Sequence, residues 1–288
     1  MPNPLRISAI RFLNPAPLMW SFEHEPTRSV LAARYSIQED TPAECAARLH
    51  SGQADIGLIP VAAHTSALAV IPGCTIASRD YVRSLLLIVR HPDGIQGVRR
   101  VALDTASRTT VAYTRILFSR FWRTQPEFFP HSPNLDAMLA QADAALLIGD
   151  PALLALEDRE ARERRTGERL LYLDLAHEWH AFTGTVWVSA FWSVRPEAIA
   201  AAGHTPAQVV QDFQRSRDEG LAHIDAIADE WARRIPIPQS TIYTYLSENI
   251  WYQLDEACLA GLDLFYRYGV ECGALPSAPA LRFLNPNP

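Results

Sequence analysis

The sequence predicts an α/β protein made of two lobes with a ligand cleft between them, and three observations support this fold class. The chain has 288 residues, more than a single domain of the usual size. Apolar strands alternate with helices through residues 1–195, which indicates parallel sheets. Residues 54–60 and 142–150 share one pattern, an acidic residue beside a buried apolar strand, and this repeat predicts two similar lobes.

The first part of the chain has the order of a βαβ unit. Strands are predicted over residues 6–10 and 34–38, and a capping box at Thr41 and Glu44 begins a helix. A nearly continuous apolar run over residues 54–60 follows, which is typical of a strand buried on both faces. The order strand, helix, strand predicts a parallel sheet.

The same order restarts in the second part of the chain. Strands are predicted over residues 101–104 and 142–150, with a helix over residues 111–122 between them. A second capping box begins at Thr205, and from there the chain is predicted to be helical. The remaining predicted strands cover residues 84–89, 170–175 and 185–192.

A two-lobed fold requires the chain to cross between the lobes twice. The natural crossings are residues 89–93 and 186–192, where strands meet turn signals or apolar connections. We therefore expect a discontinuous lobe A, residues 1–89 plus 190–288, and a continuous lobe B, residues 90–189.

Composition limits the classes of partner. The net charge of −6 gives no basic surface for nucleic acid or for an anionic membrane. The first residues lack the pattern of a signal peptide and no apolar run is long enough to span a membrane, so we expect a cytoplasmic protein. The four cysteines are widely spaced and are predicted to be buried free thiols, namely Cys45, Cys74, Cys258 and Cys272.

Polar residues follow several of the predicted strands, at the edge where ligands bind in open parallel sheets. Asn14 follows the first strand, Pro60 ends the third, and Gly149 and Asp150 end the strand of the second repeat. A helix begins directly after the strand over residues 101–104, with the polar run Ser107, Arg108, Thr109 and Thr110 at its start. Backbone N–H groups at a helix start favour an anion, although an ordinary N-cap that binds nothing has the same pattern.

Other candidates also have two interpretations. Asn14 either makes a local turn or presents a neutral donor and acceptor to the cleft, and Ser84 faces either the core or the cleft. The candidate counter-charges for an anion are Arg79, Arg83 and Arg108. His177 and His180 lack the spacing of a helical zinc motif, so we expect no zinc site there, and the sequence contains no nucleotide-binding glycine loop.

Short stretches in a fixed order resemble the chorismate dehydratase family of the futalosine route to menaquinone. One is the loop Phe12-Leu13-Asn14-Pro15 after the first strand. The others cover residues 54–60, 83–87, 103–110, 145–150, 179–184 and 245–250. The resemblance spans nearly the whole chain, and it implies a periplasmic-binding-protein-like fold of type II with a cleft between the lobes.

The resemblance also implies an activity. Members of this family are hydro-lyases that remove water from chorismate, a small dicarboxylate, to give 3-[(1-carboxyvinyl)oxy]benzoate without a cofactor. On that basis Asn14 and Ser84 are the predicted catalytic residues. The predicted substrate-binding residues are Pro60, Ser107, Arg108, Thr109, Thr110, Gly149, Asp150 and Thr183.

Two alternatives and one departure accompany this prediction. The 1,4-dihydroxy-6-naphthoate synthases of the same pathway resemble it in fold, but they open with a Ser-Pro-Cys-Pro-Asn-Asp-Thr-like loop and rely on a histidine, which residues 11–16 do not match. A non-catalytic receptor for small carboxylates is the other alternative. The departure is at Thr185-Val186-Trp187, after Thr183-Gly184, where a proline-phenylalanine pair is expected.

Dehydration requires a base for the C3 proton, and the predicted cleft is poor in bases. Asn14, Ser84 and the run from Ser107 to Thr110 cannot take up a proton near neutral pH. The base is therefore either Asp150 or the enolpyruvyl carboxylate of the substrate itself. We favour the substrate carboxylate, because burying a further carboxylate beside a dianion is electrostatically costly.

Overall fold

The computed structural model describes residues 3–90 and 92–285 and shows an α/β architecture within them. The strands are β1 (Leu5–Ile10), β2 (Tyr35–Asp40), β3 (Ile56–Pro60), β4 (Ala69–Ser78), β5 (Leu85–Val89), β6 (Arg100–Asp104), β7 (Glu127–His131), β8 (Ala144–Ile148), β9 (Leu171–Asp174) and β10 (Trp187–Val194). They form two five-stranded sheets, with the orders β2-β1-β3-β10-β4 and β7-β6-β8-β5-β9.

The helices cover the faces of both sheets. They are α1 (Ala16–Glu23), α2 (Thr27–Leu31), α3 (Pro42–His50), α4 (Thr109–Ile116), α5 (Leu135–Leu139), α6 (Gly149–Glu157), α7 (Arg159–Thr166), α8 (Leu175–Thr183), α9 (Pro196–Ala201), α10 (Pro206–Ala222), α11 (Ile224–Ala232), α12 (Gln239–Thr244) and α13 (Glu256–Glu271). Short π-helical segments, Leu117–Trp122 and Tyr245–Asn249, follow α4 and α12 directly. Within the described ranges no helix is long and apolar enough to cross a membrane.

Each sheet is mixed, so the prediction of parallel sheets is only partly right. β1 runs parallel to β2 and β3, and β6 runs parallel to β7 and β8, as the βαβ order requires. β10 is antiparallel to β3 and β4, and β5 is antiparallel to β8 and β9. The two sheets therefore share one strand arrangement, which confirms the predicted repeat.

The antiparallel strand of each sheet comes from the other half of the chain. The passage to the second sheet lies between Ser78 and Leu85, earlier than the predicted crossing at residues 89–93, of which His91 lies outside the described residues. The chain returns to the first sheet at β10, close to the predicted crossing at residues 186–192. The lobe limits 1–89 plus 190–288 and 90–189 stay a proposal, and strand membership favours assigning β5 to lobe B.

The central strands are buried on both faces, as their continuous apolar runs predict. In β5, Leu85, Leu87 and Val89 pack into the main hydrophobic core, while Leu86 and Ile88 pack into a second cluster on the opposite face of the sheet. Successive side chains of a strand point to opposite faces, so a strand between two helical layers must be apolar throughout.

The sequence missed two strands, and both contain proline. β4 includes Pro72 and Gly73, and β7 includes Pro130. Each lies at the edge of its sheet, where a missing N–H leaves no gap in the hydrogen-bond ladder. Strands were predicted from runs of apolar residues, and the prolines made these two segments look unlike strands.

The helix starts and the free state of the cysteines agree with the predictions made from the sequence. Thr41 and Glu44 form the predicted reciprocal capping box of α3, and the Thr205 side chain accepts a hydrogen bond from the Gln208 N–H at the start of α10. The helix predicted over residues 111–122 begins at Thr109 and changes to π-helical geometry after Ile116. All four cysteines are free thiols, three of them buried and Cys272 half-buried.

Candidate active site

A narrow cavity lies where the carboxyl ends of β1, β3, β6 and β8 meet. The loop after β1, the start of α4 and the start of α6 all contribute to its wall. The lining residues are Ile10, Phe12, Asn14, Pro42, Pro60, Ile76, Leu85, Ser107, Arg108, Thr109, Thr110, Ile148, Gly149, Ser189 and Ala190.

Most of the residues predicted for the site lie together in this wall. They are Asn14, Pro60, Ser107, Arg108, Thr109, Thr110 and Gly149. Topology explains the grouping, because parallel strands present their carboxyl ends at one edge and each end delivers one polar loop. Their roles toward a ligand remain predictions.

The antiparallel strands complete the wall with residues that the sequence analysis did not select. In β10, Ala190 lies opposite Pro60 of β3, so Ser189 and Ala190 reach the cavity. In the second sheet, Leu85 lies opposite Ile148, and the Gly149 N–H donates to the Ser84 carbonyl at 2.8 Å. Ser189 gives no signal in the sequence because it lies within an ordinary strand pattern.

The start of α4 is open toward the cavity. Arg108 is the N-cap residue and makes no side-chain capping hydrogen bond, which leaves first-turn N–H groups available. The Ser107 hydroxyl is buried without a hydrogen-bond partner among the described residues. Thr109 ties α4 to the first sheet, since its hydroxyl oxygen accepts the Ala62 N–H at 3.2 Å. This arrangement suits an anion that needs several donors.

The electrostatics of the wall are simple. Among the described lining residues Arg108 is the only charged side chain, and it is exposed and makes no ion pair with the described part of the chain. The other two candidate arginines form ion pairs with residues that do not line the cavity. Arg79 pairs with Asp255 at 2.9 Å, and Arg83 pairs with Glu157 at 2.7 Å. The described lining residues thus include one cationic side chain, no carboxylate and no imidazole.

Asp150 lies beside the cavity rather than in its wall. Its Oδ1 accepts the backbone N–H of Leu13 at 2.9 Å, and burial raises the pKa of this carboxyl to about 6. The hydrogen bond joins the loop after β1 to the start of α6. Asp150 therefore connects the two sheets at the edge of the site.

Ser84 and Thr183 also lie outside the wall. Ser84 is fully buried, and its hydroxyl oxygen accepts a hydrogen bond from the Tyr245 hydroxyl at 2.9 Å. The Thr183 hydroxyl donates to the Trp179 carbonyl at 2.7 Å and so closes the end of α8. The placement of Thr183 rested on the family resemblance alone, and the structure does not bring it to the cavity.

Asn14 is held by the C-terminal part of the chain. The Tyr252 hydroxyl donates to the Asn14 backbone carbonyl at 2.9 Å. The side-chain Oδ1 of Asn14 is buried without a hydrogen-bond partner among the described residues. A buried acceptor of this kind is costly unless a ligand group satisfies it, so Asn14 is the strongest candidate for a direct contact.

Glycine is required at position 149 for two reasons, its backbone conformation and the close approach of a neighbouring side chain. Its φ is +62°, and a Cβ at this position would lie 2.6 Å from the Phe12 ring. The aromatic side chain of the first loop therefore packs directly on the start of α6. This contact brings together the two loops that carry Asn14 and Asp150.

A family described as menaquinone biosynthesis matches residues 5–271. The chain belongs to this menaquinone biosynthesis family. A chorismate dehydratase from Thermus thermophilus is 29% identical in an alignment that covers 96% of this chain and 98% of the relative.

Solved structures similar to this family member have the predicted fold. A protein from Archaeoglobus fulgidus superposes with a TM-score of 0.69 at 13% identity, covering 94% of this chain and 98% of that protein. The periplasmic aliphatic sulphonate binding protein of Escherichia coli superposes with a TM-score of 0.61 at 17% identity, covering 97% and 96%. The prediction of a periplasmic-binding-protein-like α/β fold is confirmed.

Proposed function

We propose that this protein is a chorismate dehydratase, a hydro-lyase that converts chorismate to 3-[(1-carboxyvinyl)oxy]benzoate in menaquinone biosynthesis. Membership of the family and the similarity to a relative of that name support the reaction. The observation that carries the proposal is the chemistry of the cavity wall, which offers one cation, hydroxyl groups and amide groups but no side-chain base. We further propose that the reaction takes place in the cytoplasm.

The substrate is a dianion, and the wall suits two carboxylates. Arg108 supplies a full positive charge at the mouth of the cavity. The start of α4, with the hydroxyls of Ser107 and Thr110, supplies several donors for one carboxylate. Charge-assisted hydrogen bonds of this type are roughly twice as strong as neutral ones, so they fix the orientation of the bound dianion.

The enolpyruvyl carboxylate of chorismate is the proposed base. It is attached through oxygen to C3, close to the proton that must leave, and intramolecular reactions of this type have high effective molarities. The carboxylate takes the C3 proton, the electron pair of the C3–H bond forms the new ring double bond, and the C4–O bond breaks. The carboxylic acid formed in this way gives its proton to the departing hydroxyl group, which leaves as water and restores the carboxylate. The step is redox-neutral and forms an aromatic ring, so we propose that no cofactor takes part.

Asn14 is the proposed contact with the reacting part of the substrate. Its unpaired Oδ1 can accept the hydrogen of the 4-hydroxyl group and so orient the C4–O bond for elimination. Ser84, predicted as the second catalytic residue, is fully buried beside Leu85. Because it does not line the cavity, Ser84 is not assigned a direct contact with the substrate.

The direct test is incubation of the purified protein with chorismate. Formation of product gives a new aromatic ultraviolet spectrum, with one water lost per substrate, and dialysis against a chelator leaves the rate unchanged. A parallel sample with Asn14→Ala controls for uncatalysed decay of chorismate. Saturable binding of chorismate without any spectral change would overturn the proposal and favour a non-catalytic carboxylate-binding protein.

A further inference from the structure

Ser189 belongs to the cavity wall, but the proposed reaction does not use it. Its neighbours in β10 pair with two consecutive residues of β4, Val188 with Ala77 and Ala190 with Ile76. Ser189 is therefore an extra residue between these pairs, which makes it a β-bulge. A bulge turns a side chain out of the regular strand pattern and is common beside active sites. Ser189 is half-buried, whereas both of its neighbours in the strand are buried.

The Ser189 hydroxyl has a fixed partner behind the cavity wall. Its oxygen accepts a hydrogen bond from the indole Nε1–H of Trp187 at 2.8 Å. Trp187 is fully buried, and its ring stacks on Tyr113 of α4 with the ring centroids 3.7 Å apart. The Tyr113 hydroxyl oxygen in turn accepts the backbone N–H of Val188 at 3.4 Å. The packing of α4 against β10 therefore fixes the direction in which the indole N–H points.

This hydrogen bond leaves the Ser189 hydroxyl with one proton to donate. An indole nitrogen can only donate, whereas a hydroxyl has one proton and two acceptor lone pairs. The bond from Trp187 therefore occupies a lone pair of the Ser189 oxygen, and the proton has no acceptor among the described residues. Since Ser189 lines the cavity, a bound ligand can supply that acceptor.

The start of α4 lies at the same part of the cavity wall. Ala190 is opposite Pro60, the last residue of β3, so Ser189 is level with the residues that follow β3. One of these residues, Ala62, donates its backbone N–H to the Thr109 hydroxyl at the start of α4 at 3.2 Å. A ligand group held by the first turn of α4 is therefore close to the Ser189 hydroxyl.

We propose that Ser189 binds the same substrate carboxylate as the start of α4, by donating its proton to a carboxylate oxygen, and that Trp187 is a positioning residue that orients this donor. The inference rests on the proposed function for the identity of the ligand, a small dicarboxylate. A carboxylate has only acceptors, so it complements a hydroxyl that has a proton left to donate. The carboxylate is then bound between the two sheets, because β10 belongs to the first sheet and α4 follows a strand of the second.

Ser189→Ala removes the donor and tests the contact. Hydrogen bonds to charged groups are strong, so the KM for chorismate is expected to rise roughly tenfold. The kcat should change less than about threefold, because the contact is present in both ground and transition states. Ser193→Ala is the matched control, since Ser193 is a buried serine of the same strand whose hydroxyl bonds to His64 and does not line the cavity. An unchanged KM in Ser189→Ala would overturn the proposal.

Trp187→Phe tests the positioning role, because it removes the N–H and retains an aromatic ring beside Tyr113. Without the fixed donor the Ser189 hydroxyl can rotate, and KM is expected to rise about threefold with little change in kcat. Trp192→Phe is the control for the loss of an indole ring, since Trp192 is a fully buried residue of the same strand that does not line the cavity. The control should retain the KM of the unmodified protein.

A double variant distinguishes positioning from an independent effect of the tryptophan. If Trp187 acts through the Ser189 hydroxyl, Trp187→Phe should change the KM of Ser189→Ala by less than about twofold. Multiplicative increases of KM in the double variant would show that the two residues act independently, and would overturn the positioning role.

A measurement without turnover keeps this inference distinct from the proposed function. The indole Nε1–H signal of Trp187 in a ¹H–¹⁵N spectrum is identified by its loss in Trp187→Phe. Addition of 3-[(1-carboxyvinyl)oxy]benzoate, a dicarboxylate and the proposed product, is expected to shift this signal in the unmodified protein and much less in Ser189→Ala. Equal shifts in both proteins, or none in either, overturn the inference. If the signal responds as expected while the protein leaves chorismate unchanged, the proposed function fails and the carboxylate contact stands.

Discussion

The carboxylate of Asp150 accepts a hydrogen bond from the backbone N–H of Leu13 at 2.9 Å, and so joins the start of α6 to the loop after β1. The two residues are 137 positions apart and belong to loops that follow strands of different sheets. Asp150 is therefore engaged in holding the loop that carries Asn14. This structural role, accepting the Leu13 N–H, differs from the role of a general base, which needs a free oxygen directed at the substrate.

Asp150→Asn distinguishes these two duties. The amide oxygen of asparagine can still accept the Leu13 N–H, so we expect kcat/KM to stay within about threefold of the unmodified value. Asp150→Ala removes the acceptor and is expected to lower kcat/KM by about tenfold or more. Steady-state rates with chorismate decide the matter, and complete loss of turnover in Asp150→Asn would identify Asp150 as the base.

The same carboxyl gives a pH dependence of stability. Burial raises the pKa of Asp150 from 3.8 to about 6, so the folded state takes up a proton before the unfolded state as the pH falls. Above about pH 6 the buried carboxyl group is charged, and its burial then lowers the free energy of unfolding. As the pH falls from 7 to about 4, we expect the free energy of unfolding of the unmodified protein to rise by about 2 kcal/mol relative to that of Asp150→Asn.

Denaturant unfolding of both proteins at several pH values measures this difference. Groups common to the two proteins, including the buried Asp174, cancel in the comparison. A difference that does not change between pH 4 and pH 7 would contradict the assigned burial of Asp150.

The sequence predicted the edge of the sheets at which the site lies, because strand ends and polar loops are local signals. Asn14 and the run from Ser107 to Thr110 were found in this way. Tyr245 and Tyr252 were not assigned a role, although the resemblance covered residues 245–250. Both lie in a late helical region, and only the folded chain shows that their hydroxyls meet residues of the site.

Two other features could not be predicted from the sequence. β5 and β10 run antiparallel to their neighbours, and an apolar run does not indicate strand direction. The substrate-binding role of Thr183 stays a prediction from its position in a motif, and in the structure its hydroxyl satisfies backbone groups at the end of α8.

Arg108 is expected to determine the affinity for the substrate. As the one charged side chain among the described lining residues, it has no substitute in the cavity wall. Arg108→Gln should raise KM roughly tenfold or more and change kcat much less, because a charge-assisted contact is present in both ground and transition states. Arg169→Gln is the control, since that side chain is 89% exposed and does not line the cavity.

Salt provides a second measure of the Arg108 contact. Screening weakens interactions of exposed charges, so the KM of the unmodified protein should rise with ionic strength. The KM of Arg108→Gln should respond much less. Equal salt dependence in both proteins would assign substrate attraction to the start of α4 alone.

Gly149→Ala tests the contact between the two loops of the site. The new methyl group would lie 2.6 Å from the Phe12 ring and would displace it toward the cavity. We expect kcat/KM to fall at least roughly tenfold, because small displacements of positioning groups are costly to catalysis. Gly167→Ala is matched for backbone strain, with φ +70° and no atom within 4 Å, and should lose only stability.

Gly167→Ala is expected to unfold more easily by about 1 kcal/mol, since alanine disfavours positive φ, and Gly149→Ala by more, because its methyl group also clashes with the Phe12 ring. Comparing the activities of the two variants therefore distinguishes backbone strain, which both share, from displacement of Phe12, which only Gly149→Ala causes. Equal activity in the two variants would show that Phe12 can move without consequence for the substrate.

Asn14→Ala is the most direct test of the reacting contact. Removal of an oriented hydrogen-bonding group from a preorganised site typically costs about 10²-fold in kcat, and KM should change little. Asn134→Ala is the control, because that side chain caps α5 at the protein surface and contributes only to stability. If Asn14→Ala retained full turnover while Asp150→Asn abolished it, the substrate carboxylate would lose its role as base and the elimination would depend on Asp150.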